Sequence, residues 1–257
     1  LNVLFIAVDD LRPQLGCYGQ THVKSPNMDR LAAEGFLAAR SYCNVPVCGA
    51  SRASLLTGVY PTRERFVNYH TWAEKDLPDR LTLPKHFQDN GYHTVSNGKI
   101  FHHTTDCVES WSEDPWRPSS DNWRDYVTEE NLAMAQDANG KAKPYEIADV
   151  PDNAYFDGQI ADKTIADLKR LAVADEPFFI AAGFLKPHLP FNAPKKYWDL
   201  YDRDALPMAQ NNVPPENAPD AAMHNWGELR SYLEIPPTGP LTDEYAKLLV
   251  HGYHACV

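Results

Sequence analysis

Cys48 opens the stretch CGASRASLLTG, with Ser51 and Arg52 close behind it. A buried structural thiol needs no arginine at that spacing, and a disulfide needs none either. The pattern fits a small reactive group at the mouth of a short helix over 51–58, closed by Gly58, with a cation beside it. Three more groups follow apolar runs. Asp9 and Asp10 end NVLFIAV, Lys99 and His102 follow YHTVSNG, and Lys186 and His188 follow PFFIAAGFL. In open parallel α/β sheets ligands bind at the carboxyl ends of the strands, so strand ends far apart in sequence converge on one pocket.

These residue types make one chemistry together. Two carboxylates suit a hard divalent cation. Arg52, Lys99, His102 and His188 offer positive charge and hydrogen-bond donors. A tetrahedral oxyanion, sulfate or phosphate, fits between such a cation and those donors, with the free N–H groups of a helix starting near Ser51 aimed at it. Each group taken singly has an ordinary reading. Paired aspartates cap turns, LKPHLPF is a proline-stiffened loop, Lys99 and His102 are surface plus core, and a lone cysteine is a small hydrophobe. Four such groups at predicted strand and helix ends make coincidence the weaker account.

The elements that must position them are readable in outline. NVLFIAV (2–8) is a short apolar run that reads as a buried parallel strand. SPNMDRLAAEG (25–35) reads as a helix with Ser25 as N-cap, Pro26 first, Gly35 at its end, and Met28, Leu31 and Ala32 inward. FLAARSYC (36–43), YHTVSNG (92–98) and PFFIAAGFL (177–185) read as strands. LPKHFQDNG (83–91) and 158–172 read as helices, the latter with Ile160, Ile165 and Leu168 on one side. Residues 103–150 show no clear period and read as a long loop region. The C-terminal LTDEYAKLLVHGYHACV reads as a helix that stops in mid-pattern. Strands alternating with helices give an α/β fold with a mainly parallel or mixed sheet sandwiched by helices. No internal domain boundary or repeat stands out in 1–257.

Bulk properties limit the function. The chain has 257 residues, 43% of them hydrophobic, enough for a sizeable core. The formal net charge of -11 argues against a non-specific nucleic-acid binder. No run approaches the roughly 18 apolar residues of a membrane span. The chain opens on a strand, so no signal peptide is visible. Five cysteines without CxxC spacing exclude a zinc ribbon and a dense disulfide framework.

CGASRASLLTG resembles the sulfatase signature, with Ala50 where proline is commoner. NVLFIAVDDLRPQLGCYG and SPNMDRLAAEG resemble the opening strand and first helix of that family. Within the family, DDLRPQLGCYG, GKIFHH, SWSEDPWRPSS, ADVPD and GFLKPHLPF look like the iduronate-2-sulfatase branch, as does the three-residue step from Lys99 to His102. The resemblance implies an alkaline-phosphatase-like fold, incomplete at the C-terminus, and hydrolysis of sulfate esters on a sugar or polysaccharide. It implies that a formylglycine-generating enzyme oxidises Cys48 to Cα-formylglycine, whose hydrate attacks sulfur. It also implies one calcium ion on Asp9, Asp10 and the modified Cys48, and Arg52 bracing the hydrate. Lys99 and His188 would bind sulfate, with His188 as general acid and His102 as base. Export, periplasmic, extracellular or lysosomal, is expected from the same resemblance.

The family's later Asp-His or Asp-Asn metal pair and second lysine have no counterpart after residue 190. The expectation is therefore half a metal site, weak calcium binding and little activity for 1–257 alone. Residues 64–76 and 103–150, with WAEKD and DPWRPSS, are the expected substrate-facing loops. Two other readings remain open: a phosphate or phosphonate monoester hydrolase on the same fold, and a non-catalytic calcium- or glycan-binding relic.

Overall fold

The computed structural model describes residues 1–119, 122–138, 140–211 and 213–257. In chain order the elements are β1 (Val3–Val8), α1 (Pro26–Glu34), α2 (Cys48–Thr57), α3 (Ala73–Asp76), α4 (Leu83–Asp89), β2 (His93–Gly98), α5 (Glu129–Asp137), β3 (Tyr145–Ala148), α6 (Phe156–Leu171), β4 (Phe178–Phe184), β5 (Phe191–Pro194), α7 (Lys195–Trp198) and α8 (Asp243–Cys256). They fall into two compact units, each built from three separate segments. The first holds Leu1–Asp10, Phe36–Ser119 and Phe156–Leu185, and the second holds Leu11–Gly35, Ser120–Tyr155 and Lys186–Val257. The sequence shows no boundary because neither unit is one continuous stretch, so no linker marks the crossings.

The first unit carries a parallel sheet in the order β1-β4-β2. Val8 pairs with Phe184, and Gly98 with Gly183, so the three carboxyl ends lie level. That register sets Asp9 and Lys99 on either side of the end of β4. On one face Phe179 and Ala181 meet Ala50, Ala53 and Leu56 of α2, together with Ile100, Phe101 and Trp111. Phe87 of α4 stacks on Phe179 with ring centroids 4.6 Å apart. On the other face Val95, Phe178 and Ile180 pack against Leu171 and Leu168 of α6.

β1 is a parallel strand as expected, but it is buried on one face only. Val3, Phe5 and Ala7 join the core, while Leu4 and Ile6 are 43% and 51% exposed. α6 packs over β4 and β2; among the described residues of this unit no helix lies over the second face of β1. Residues 36–43 form no strand. Phe36 and Tyr42 are 92% and 86% exposed, so the apolar pattern there finds nothing to pack on. In α6 the buried positions are Phe156, Ile160, Thr164, Asp167 and Leu171, which turns Ile165 outward.

In the second unit β3 and β5 pair in parallel, from Tyr145–Phe191 to Ala148–Pro194. Ala193, Trp198 and Ala255 form a core with Tyr145 and Leu248, which fixes α7 and α8 on this small sheet. The stretch 103–150, expected as loop, contains α5 and β3. Thr128 caps α5 by accepting from Asn131 N, and Glu129 and Glu130 fill its first turn. The buried Glu146 of β3 ties them together. It accepts from Val127 N at 2.8 Å, Thr128 N at 3.1 Å, Thr128 Oγ1 at 2.5 Å, Asn131 Nδ2 at 3.0 Å and Tyr155 OH at 2.8 Å. α1 has its proline start, yet none of its residues is buried. Ser25 makes no helix cap; its Oγ accepts from Gly16 N and donates to Asp29 Oδ1. α8 begins at a Thr242 cap.

Candidate active site

The carboxyl ends of β1 and β2 and the start of α2 meet in the first unit. α2 begins at Cys48, three residues earlier than the sequence suggested, and ends at Gly58 with φ 66°. Gly49 permits this entry, because a Cβ there would lie 2.7 Å from Tyr69 O. Arg52, one turn on, is buried under the sheet end. Its Nη2 donates to Asp9 Oδ1 at 3.0 Å, and its Nη1 donates to Lys99 O and, at 3.1 Å, to Ile100 O. Lys99 Nζ donates to Asp9 Oδ2. One buried carboxylate thus lies between two buried cations, an arrangement that holds only while all three partners are present.

Cys48 Sγ lies 3.4 Å from His102 Nδ1. Burial, the largest influence, raises the thiol pKa above its ordinary value; Lys99 opposes it and Asp9 adds to it. At neutral pH the side chain is a thiol, a poor nucleophile as it stands. His102 is pushed down to about 4 by burial first and by Lys99 next, so its imidazole is neutral and able to take a proton. Tyr69 and His103 flank that ring at centroid distances of 6.4 and 4.9 Å.

The family profile described as Sulfatase matches residues 1–247. The chain belongs to the sulfatase family. Iduronate 2-sulfatase of Mus musculus is 34% identical over 274 residues, covering 100% of this chain and 49% of that protein. The Homo sapiens iduronate 2-sulfatase matches at the same identity and coverage. The chain therefore spans about half the length of the curated relatives it matches. Among solved structures, the phosphonate monoester hydrolase of Silicibacter pomeroyi covers 99% of the chain at 23% identity and a TM-score of 0.71, with the chain spanning 56% of it. That likeness shows the shared alkaline-phosphatase-like α/β fold.

Against the site expected of a sulfatase, Asp9, Cys48, Arg52, Lys99 and His102 are brought together. Asp10 follows Asp9 directly, exposed and in the left-handed region at φ 59°, which aspartate tolerates. His188 belongs to the second unit. There its Nδ1 donates to Leu189 O at 2.7 Å, its Nε2 lies 3.5 Å from Glu228 Oε1, and the Trp123 ring meets it edge-on at 5.8 Å. Lys186 Nζ donates to His188 O at 3.3 Å and Pro190 O at 2.6 Å. All five cysteines are free thiols.

The donor set bears on calcium. Asp9 and Asp10 offer hard oxygen atoms of the right kind, whereas a cysteine sulfur is a soft donor that suits calcium poorly. Cys48 becomes a fitting ligand only once an oxygen replaces its sulfur. Among the described residues, the one group of three or more clustered candidate ligands is Glu74, Asp106 and Cys107, which includes neither of these aspartates. Its carboxylates already accept from Ala73 N, Glu74 N and Cys107 N, as loop fasteners do.

The loops expected to face substrate are partly turned to internal work. In WAEKD, Asp76 accepts from Phe66 N and Lys75 Nζ lies 3.7 Å over the Trp72 ring, which stacks on His103. In DPWRPSS, whose Ser120 lies outside the described residues, Arg117 points into the protein and donates to three backbone carbonyls. Neither that clamp nor the Glu228 partner of His188 carried a local sequence signal.

Proposed function

We propose that this chain carries the nucleophile-bearing part of an exported sulfuric ester hydrolase acting on a sulfated saccharide of the iduronate-2-sulfate type. The Cys48–His102 contact beside the Asp9–Arg52–Lys99 cluster carries the reading. Cys48 at the first position of α2 is the residue converted to formylglycine, and the hydrate of that aldehyde would supply the attacking oxygen. A calcium ion bound at Asp9 and Asp10 would supply Lewis-acid charge against the sulfate oxygens.

The chain's own residues account for the remaining roles. Lys99 and Arg52 place fixed positive charge at the foot of the site, and the N–H groups opening α2 add to it, so the singly charged sulfate ester is held without reorganisation. Asp9 orients both cations. His102, neutral at working pH, accepts the hydrate proton when sulfate is expelled. Support for the saccharide substrate is the 34% identity to iduronate 2-sulfatases across the whole chain.

The test is mass spectrometry of protein from its native host. The tryptic peptide SYCNVPVCGASR, residues 41–52, should carry the aldehyde or its hydrate at Cys48. A free thiol alone, in a host with the modifying enzyme, would sink the mechanism and leave the non-catalytic relic. Paired aryl sulfate and aryl phosphate assays on the modified protein should favour sulfate; a preference for the phosphate would move the assignment to a phosphoester or phosphonate hydrolase.

A further inference from the structure

Five consecutive backbone carbonyls, from Gly98 to His102, are held by two guanidinium groups. Arg52 takes Lys99 O and Ile100 O. Arg117 takes the other three: Nε donates to Gly98 O at 3.0 Å, Nη1 to His102 O at 3.1 Å, and Nη2 to Phe101 O. The two sets interleave and share no oxygen. A turn that only had to leave a strand would give these carbonyls to water or to nearby amides. Here every one of them is fixed, along the five residues that bear Lys99 and His102.

The delivery of Arg117 is equally specific. Trp116 N donates to Ser96 O at 2.9 Å and Gly98 N donates to Trp116 O at 2.8 Å, so residue 116 is bridged to the end of β2. Pro115 and Pro118 restrict the backbone on both sides of Trp116 and Arg117. The next side chain must then enter the loop. Burial, with Arg52 nearby, lowers the Arg117 pKa to about 10, and it stays charged at neutral pH. A half-buried cation whose donors are used on backbone oxygens is costly to keep, and its planar fork spans three separated acceptors that the compact ammonium of a lysine cannot bridge.

We infer that Arg117 is a positioning residue for the reaction, fixing the backbone that presents His102 to Cys48. The inference rests on the sulfatase reading above and goes beyond it. Arg52 alone still holds the Lys99 and Ile100 carbonyls when Arg117 is removed. The damage therefore falls on His102 and on turnover, more than on sulfate binding through Lys99.

The experiment uses the full-length protein carrying formylglycine, with an aryl sulfate as substrate, and the variants Arg117→Ala and Arg117→Lys. Arg117→Ala is expected to lose on the order of 100-fold in kcat, as a misplacement of about 1 Å does, with KM within about threefold. Guanidinium chloride at low millimolar concentration should restore roughly tenfold of that loss, methylammonium should not, and Arg117→Lys should remain impaired. Hydrogen exchange over residues 96–106 should quicken in both variants while the core of α6 stays as in the wild type. A kcat within about threefold of wild type in folded Arg117→Ala overturns the inference. So does a loss that guanidinium leaves untouched, with exchange at 96–106 unchanged. If Arg117→Ala does not fold, Arg117→Lys decides by the same readouts. Wild-type protein that hydrolyses no sulfate ester refutes the sulfatase reading instead, and hydrogen exchange then judges the clamp without reference to activity.

Discussion

Gly183→Ala tests whether the close approach of β4 to the Lys99 loop positions the site. Gly183 pairs with Gly98 across the sheet, and Lys99 N donates to Gly183 O at 2.8 Å. A Cβ on residue 183 would lie 2.0 Å from Lys99 O and 2.3 Å from Lys99 C. Both are rigid backbone atoms, so the Lys99 carbonyl has to retreat by about 1 Å or more to reach ordinary contact. Overpacking of that kind costs about 1–3 kcal/mol, and a lost backbone hydrogen bond adds about 1 kcal/mol. The total of about 2–4 kcal/mol corresponds to a fall in Tm of roughly 5–15 °C for a chain of this size. The same retreat pulls Lys99 O from Arg52 and tilts the turn toward His102, so turnover should drop on the order of 100-fold.

The assay pairs thermal unfolding by circular dichroism with aryl sulfate turnover in the full-length, modified protein. Gly58→Ala is the control. It sits at φ 66° with nothing within 4 Å of its Cβ, so it incurs left-handed strain without a clash. That costs about 1–2 kcal/mol and should leave the folded enzyme's kcat alone. If Gly183→Ala melts within about 2 °C of wild type and turns over within about threefold, the contact does not hold the site and the reasoning fails.

Glu146→Gln should destabilise the second unit by about 2–4 kcal/mol, because the new amide group faces donors where a carboxylate accepted from five; urea denaturation followed by tyrosine and tryptophan fluorescence reads it, and an unchanged midpoint refutes it. His254 is pushed down to about 4 by burial first, then by His22, His251 and Arg12. The unfolded chain, with a histidine pKa of about 6.5, binds that proton more readily, so this stability is complete above about pH 6.5 and is lost as pH falls toward 4. It is worth on the order of 2 kcal/mol, and His254→Phe should flatten the decline of Tm between pH 7 and 4.5; an unaltered slope counts against it. The polypeptide 1–257, tested alone by calorimetry and aryl sulfate assay, should bind calcium weakly and turn over little; activity matching a full-length homologue would show that the residues before 257 suffice.

Local patterns made much of the first unit legible. β2, β4, α4 and α6 follow from short apolar runs, helical spacing, and proline and glycine at the ends. α5 had a local signal as well, Thr128 followed by two glutamates, hidden among the prolines and tryptophans of 103–150. The exposed face of β1 had none. An apolar run reports that a strand can be buried on both sides, not which side finds a partner, and FLAARSYC shows the same ambiguity carried further. Ile165 was misplaced for a related reason: it lies five residues from Ile160, about 140° round the helix from it, and only the position of the sheet decides which side is inner.

The site divides along the same line. Cys48, Arg52, Lys99 and Asp9 were legible because their types are unusual for their places, a cation and a thiol at a helix start and a carboxylate at the end of an apolar strand. Arg117 was as visible in the sequence as Arg52, and its segment DPWRPSS read as part of a substrate-facing loop. What fixes its role is a row of backbone carbonyls, and every residue carries one, so the acceptors leave no trace in the amino-acid string. The bridge from Trp116 to β2 is a backbone feature too. A guanidinium opposite a carboxylate can be guessed from two letters of sequence. One opposite main-chain oxygen can be recognised only after the chain has folded around it, so clamps of this kind are sought in coordinates, beside motifs whose loops have no helix or sheet to satisfy them.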